Sequence, residues 1–176
     1  MSEIQTLIKK INNGQNPVFE GLYGTDSAVL AAQAKRYADL MDEFKSTYKT
    51  SEVALFSSPG RTEIGGNHTD HNYGRVLAGA VNLDNIAVAG KNNSNIIRVK
   101  SIGYPAFEVD ITDLTPRKEE QYTSEAIVRG IVARFKELGY EVGGFDMCNH
   151  SNVPKGSGLS SSASFEVLIG AIINNL

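Results

Sequence analysis

The chain contains a single cysteine, Cys148, which excludes an internal disulfide and a cysteine-rich zinc site. That usage fits a reducing compartment. Positive charge is not in excess: 17 Lys and Arg stand against 20 Asp and Glu, for a formal net charge of −3. Basic residues occur as scattered pairs such as Lys9–Lys10 and Arg117–Lys118, which argues against nucleic acid as a main partner. Long hydrophobic runs are missing too. The stretch 167–173 contains a glycine and is far too short to cross a bilayer. Polar residues interrupt the N-terminus, so it does not read as a signal peptide. A soluble cytoplasmic protein is the resulting expectation. Finally, there is no GxxxxGK[ST] and no GxGxxG after a strand. The first absence excludes a P-loop NTPase and the second weighs against a dinucleotide fold.

What is present suits one domain with a real core. Ile4, Leu7, Ile8 and Ile11 fall at helical spacing and predict a short amphipathic helix, ended by Asn12-Asn13-Gly14 and Pro17. A second helix is expected from an N-cap at Thr25 or Asp26. Its apolar stripe is Val29, Leu30, Tyr37, Leu40, Met41, Phe44 and Tyr48. Residues 52–57 read as a strand followed by a long loop, 58–74. Segments 75–81 and 85–91 read as strands. The Asn92-Asn93-Ser94-Asn95 turn then predicts that 96–100 pairs back as a hairpin. A strand is expected at 107–111. Ser124 is the expected cap of a helix whose core face is Ile127, Val128, Ile131, Phe135 and Leu138, ended by Gly139. A strand at 144–148 and a helix at 159–173 complete the order. This is α+β rather than a regular βαβ alternation. Residues 1–51 form a helical N-terminal extension in this reading, and 52–176 the main domain. The apolar helical pattern is still running at Leu176 with no C-cap glycine, so a piece of a longer protein is expected.

Two segments carry chemistry. In the second, Lys155-Gly156-Ser157-Gly158-Leu159-Ser160-Ser161-Ser162-Ala163, glycines let backbone N–H groups approach a phosphate. The following helix start favours an anion. Serine hydroxyls add donors or ligate Mg²⁺, and Lys155 adds a point charge. The plain alternative is a flexible Gly/Ser turn capped by serine, yet three consecutive serines exceed what one cap needs. In the first segment, Gly60 allows a sharp exit from the strand and Arg61 projects into a cleft. There it can stabilise charge on a transferred phosphoryl group. Asn67, His68 and Asp70 offer mixed donors and acceptors suited to sugar hydroxyls. They compete with two other readings: local turn-forming side chains, and a transition-metal site at His68, Asp70 and His71. The spacing of the latter matches no HExxH or zinc ribbon. His150 reads as a satisfied loop histidine and Cys148 as a small buried hydrophobe.

Together the two segments resemble the GHMP small-molecule kinases, and among them the galactokinases. The signature GRxNxIGEHxDY stands here as Gly60 to His71, and the nucleotide loop PxGxGLSSSA is matched by Pro154 to Ala163. The resemblance covers the chain from about Glu52 onward. It implies a ribosomal protein S5 domain 2-like α+β domain and ATP-dependent phosphorylation of galactose at the anomeric hydroxyl. It also implies roles: Arg61 as transition-state stabiliser; Asn67, His68, Thr69 and Asp70 on the sugar; and Gly156, Ser157, Gly158, Leu159, Ser160, Ser161 and Ser162 around the ATP phosphates. Ser162 would ligate Mg²⁺. Asn67 stands where the family has glutamate, and His71 where it has tyrosine. The departure at Asn67 leaves open a non-catalytic galactose- and ATP-binding regulator; a kinase for a related sugar is the other alternative. The family's catalytic aspartate, acidic Mg²⁺ ligand and third glycine-rich motif lie further along than Leu176. These 176 residues alone are therefore expected to be inactive.

Overall fold

A computed structural model describes residues 2–12, 17–50, 52–67 and 69–176. The chain runs through β1 (Ser2–Glu3), α1 (Ile4–Asn12), α2 (Pro17–Tyr23) and α3 (Ser27–Thr47). Then come β2 (Glu52–Gly65), β3 (Leu77–Lys91), β4 (Ile96–Ser101) and β5 (Phe107–Asp110). It ends with α4 (Ser124–Glu137), β6 (Phe145–Ser151) and α5 (Ser161–Asn175). Short 3₁₀ turns occupy Asp70–Asn72 and Lys118–Glu120. The six strands form one sheet in the order β1-β2-β3-β6-β4-β5. The α+β expectation therefore holds.

The sheet separates two cores, and β3 shows why. Successive side chains of a strand point to opposite faces. Ile86 and Val88 join Cys148, Tyr37, Leu40, Met41 and Phe44 under α1–α3. Ala87 and Ala89 face the other way, with Ile97, Val99, Val109, Met147, Val128, Leu168 and Ile172 under α4 and α5. The small alanines let α5 lie close to the strand, while the branched residues fill the opposite side. Burying each large apolar side chain is worth roughly 1.5–3 kcal/mol. The helical segment before β2 thus shares a core with the sheet. Among the described residues, no helix is long and apolar enough to cross a membrane.

Several expectations change. The loop expected from residue 58 is strand as far as Gly65. Gly60 suggested an exit from the strand, but the strand continues past it, with Pro59 at a register shift, where a missing N–H costs little. Segments 75–81 and 85–91 merge into one strand, β3, which begins at Leu77. The hairpin between β3 and β4 does not form. Instead β6 lies between them, antiparallel to β3 and parallel to β4. β6 is buried from Phe145 to Asn149, and alternation in 96–100 marks a strand without naming its neighbour. The helix α2 and the two-residue β1 were missed. The stripe of α3 holds except for Val29, which is 42% exposed. Ile4 and Ile11 are buried as expected; the side chain of Ile8, and the break expected at Asn13 and Gly14, lie outside the described residues. In α4 the cap is Thr123, whose hydroxyl accepts from the Ala126 N–H. Val132 takes the buried place given to Leu138, which is 56% exposed. The last helix begins at Ser161, not Leu159.

Candidate active site

The two motif segments meet at the open end of the sheet. β2 and β3 pair from Ala54↔Ala89 to Pro59↔Asp84, shift register, and resume at Arg61↔Ala80. Across that shift, the Arg61 backbone N–H donates to the Leu159 carbonyl at 2.9 Å. The buried Ser164 hydroxyl donates to the Ser58 carbonyl at 2.9 Å. Gly60 is what permits the approach: a Cβ there would stand 2.9 Å from the Leu159 carbonyl oxygen and 3.0 Å from a Val153 methyl. Its role is close packing against the glycine–serine loop rather than a sharp exit from the strand. The side chain of Arg61 is half-buried at this joint.

The glycine–serine loop is exposed from Pro154 to Gly158. Gly156 and Gly158 take positive φ of 74° and 78°, which glycine adopts without strain. The Ser157 hydroxyl donates to the Pro154 carbonyl and accepts from the Leu159 N–H. Ser160 holds the cap position of α5 in a left-handed conformation, φ 61°, with no side-chain cap bond. The simple serine-cap alternative is therefore not what is built: the serine in the cap position leaves the first turn without side-chain acceptors. Ser162 lies exposed in that turn.

The far part of the signature is a tight turn. Gly66 (φ 116°) and Asn67 (φ 56°) lead into it. The Thr69 hydroxyl donates to the Gly66 carbonyl at 2.8 Å, and its own carbonyl accepts the N–H groups of Asn72 and Gly74. Gly74 is required there, since a Cβ would collide with the Thr69 side chain. Thr69 is thus engaged within the turn, while Asn67 and His71 are exposed. His68 lies outside the described residues, and for Asp70 only the backbone, in the 3₁₀ turn, is described. Among the described residues no cluster of His, Cys, Asp or Glu is arranged to hold a metal.

Beneath the joint is a polar node that sequence reasoning missed. The Asp84 carboxylate accepts from the Tyr23 hydroxyl (2.6 Å), the Ser57 hydroxyl (2.6 Å) and the Arg36 guanidinium. Arg36 also donates to the Asp84 carbonyl (2.9 Å), the His150 carbonyl (2.8 Å) and His150 Nδ1 (3.2 Å). The Asn152 N–H donates to the Asp84 carbonyl at 2.8 Å. Burial would raise the Asp84 carboxyl, but hydrogen bonds from Arg36, Ser57 and Tyr23 outweigh it and hold the group below the usual aspartate range. Burial, then the Arg36 charge, lowers His150. His150 is the penultimate residue of β6 rather than a loop residue. Cys148 is fully buried, and its burial pushes the thiol up to about 12. The available signal was an aspartate inside a strand whose only other charged residue is the terminal Lys91.

The family described as "Galactokinase galactose-binding signature" matches residues 42–91, and "GHMP kinases N terminal domain" matches residues 126–176. A curated galactokinase of Clostridium acetobutylicum is 34% identical over 143 residues, covering 78% of this chain and 36% of the relative. One from Ligilactobacillus salivarius is 37% identical over 139 residues, covering 77% and 35%. The chain carries the galactokinase galactose-binding signature and the N-terminal domain of the GHMP kinases. It spans little more than a third of the length of those curated relatives. The solved Lactococcus lactis galactokinase complexed with galactose superposes with a TM-score of 0.66 at 30% identity, over 84% of this chain and 38% of that one. Methanococcus jannaschii mevalonate kinase shares the fold at 16% identity, with a TM-score of 0.58, over 70% of this chain and 40% of that one. The GHMP fold thus extends beyond the sugar kinases.

Proposed function

We propose that the protein carrying this chain transfers the γ-phosphoryl group of ATP to the anomeric hydroxyl of galactose, giving galactose 1-phosphate and ADP. The observation that carries the reading is the Arg61 N–H to Leu159 carbonyl bond, which ties the sugar signature to the glycine–serine loop. Two substrates held on those segments would sit side by side. Arg61 is the group that would meet developing charge on the transferred phosphoryl. Asn67, His68, Thr69 and Asp70 would hold the sugar. Gly156, Ser157, Gly158, Leu159, Ser160, Ser161 and Ser162 would surround the phosphates with N–H and hydroxyl donors. Ser162, an exposed hard oxygen donor, fits Mg²⁺, which when bound would neutralise charge on the phosphate oxygens. The reading also places the protein in the cytosol with ATP and galactose as its small-molecule partners.

Two measurements test it in the intact protein: calorimetric titration with galactose and with ATP, and galactose-dependent ADP release. Arg61→Ala is expected to lower kcat by about 10²–10³-fold with galactose affinity near that of the parent. Binding of both ligands without ADP release overturns the kinase reading. It would favour a galactose- and ATP-binding regulator, the alternative that Asn67 in its exposed left-handed position supports. Turnover of another sugar in preference to galactose reassigns the substrate.

A further inference from the structure

The Asp84 node and the pair at the other end of the sheet are chemically alike and differently placed. Asp146, on β6, accepts from Arg98 Nε (2.8 Å), the Thr50 hydroxyl (2.9 Å) and Asn92 Nδ2 (2.8 Å). It pins the turn after β3 and touches neither motif. Asp84 faces Pro59 at the last regular pair before the register shift. Beyond that pair, two residues of β2 span four of β3, which sets where Arg61 emerges. Ser57, bonded to the carboxylate, lies in the strand that leads to Arg61. Asn152, bonded to the carbonyl, leads into the glycine–serine loop, and Arg36 clamps His150 just before it. One residue therefore holds the entry of both motif segments.

We propose that Asp84, with Arg36 as its clamp, is a positioning residue that fixes the spacing of the Arg61 strand and the glycine–serine loop. The inference rests on the kinase reading above. A buried ion pair is weak evidence of stabilisation in itself, because desolvation offsets much of its attraction. What Asp84 and Arg36 do uniquely is fix relative geometry. Two carboxylate oxygens, a carbonyl and a forked guanidinium bind groups from α2, α3, β2 and β6 at once. Arg36 uses all three guanidinium nitrogens, Nη1 on the Asp84 carboxylate, Nη2 on the Asp84 and His150 carbonyls and Nε on His150 Nδ1, a planar set that a lysine cannot reproduce. Small displacements at a reacting pair are costly, about a hundredfold in rate for a misplacement near 1 Å.

The test compares Asp84→Asn with Asp146→Asn in the intact protein, each assayed well below its own melting midpoint. The expected result for Asp84→Asn is a fall in kcat/KM for both galactose and ATP of at least about tenfold. Asp146→Asn is expected to melt earlier while holding both constants within about twofold of the parent. Arg36→Lys should fail to rescue, and Tyr23→Phe and Ser57→Ala should give graded losses should Asp84→Asn not fold. The proposal is overturned when Asp84→Asn, or the two milder variants, lower the melting point but leave kcat/KM alone. Failure of the kinase reading shows separately, as no galactose-dependent turnover by the parent. Positioning is then read from equilibrium binding of a non-hydrolysable ATP analogue, weakened by Asp84→Asn and unchanged by Asp146→Asn. Equal binding by both variants sinks it.

Discussion

The two halves of β3 share a strand and little else. From Asp84 to Gly90 every residue is buried; from Leu77 to Ala80 three of four are exposed. The inner half lies between two helical layers and is paired on both edges, to β2 and β6. The outer half is paired to β2 beyond the register shift. It carries Leu77 at 63% exposure, opposite a strand whose Ile64 is 68% exposed. Stability is concentrated at one end and both motif segments at the other. The difference teaches that the same backbone pairing serves two purposes. Where helices cover it, side chains are chosen for volume. Where they do not, they are chosen for what the main chain must reach.

Substitutions should sort by end. The largest effect is expected from Phe44→Ala, which empties the fully buried core of α3. It should lose about 3–5 kcal/mol of unfolding free energy, measured by urea titration, while the folded fraction binds ligands normally. Next come two glycines. Gly90→Ala places a methyl against the Glu52 carbonyl and 2.8 Å from the Thr50 methyl. Gly60→Ala places one against Leu159 and Val153. Each should cost about 1–3 kcal/mol, the first in melting and the second chiefly in nucleotide affinity. Nucleotide affinity unchanged by Gly60→Ala would break the comparison. Ser164→Ala leaves the buried Ser58 carbonyl without its donor and should cost about 1 kcal/mol, read by thermal melting.

The smallest expected effect is a pH dependence whose upper stage belongs to the Asp84 node, while Asp110, Asp113 and Glu120, also lowered by their hydrogen bonds, share the lower stage with Asp84. His150 is lowered in the folded protein, so the unfolded chain takes up its proton first. Stability falls as pH drops below the ordinary histidine value and levels off below the folded one. Asp84 is lowered as well. Its contribution is present above the ordinary aspartate value and disappears as pH falls through the folded value. Urea midpoints measured from pH 8 down to about pH 3 should decline in two stages, and His150→Gln should remove the upper one. An upper stage that survives this change would show that another group titrates there.

The elements with one dominant pattern were legible in the sequence. The stripe of α3, the Asp26 cap and the apolar run of α5 each declared itself locally. Asp26 accepts from the Ala28 and Val29 N–H groups, as its residue type suggests. The glycine–serine loop and the Arg61 segment stood out by residue type. Their contact through Leu159 did not, because a main-chain bond between residues nearly a hundred positions apart leaves no pattern in side chains. Gly60 misled for a related reason: it read as a sharp exit from the strand, yet it occupies a close approach beside the register shift at Pro59. Strand order was hidden as well. Alternation in 96–100 is the same whether its neighbour is β3 or β6. In α4 the expected face holds at Ile127, Val128 and Ile131, but periodicity gave no sign of the buried Arg129, bonded to Glu120 and to the carbonyls of Asp110 and Asp113.

The late strand has a consequence for synthesis. β6 sits in the middle of the sheet but is made after β1–β5. Until residue 151 has left the ribosome, the pair β2–β3 and the pair β4–β5 are two separate half-sheets. Each then displays an open inner edge able to recruit a neighbouring chain. The strand that delivers the glycine–serine loop is therefore also the keystone, and a nascent chain halted before Phe145 should sediment as aggregate where one halted after Asn175 does not.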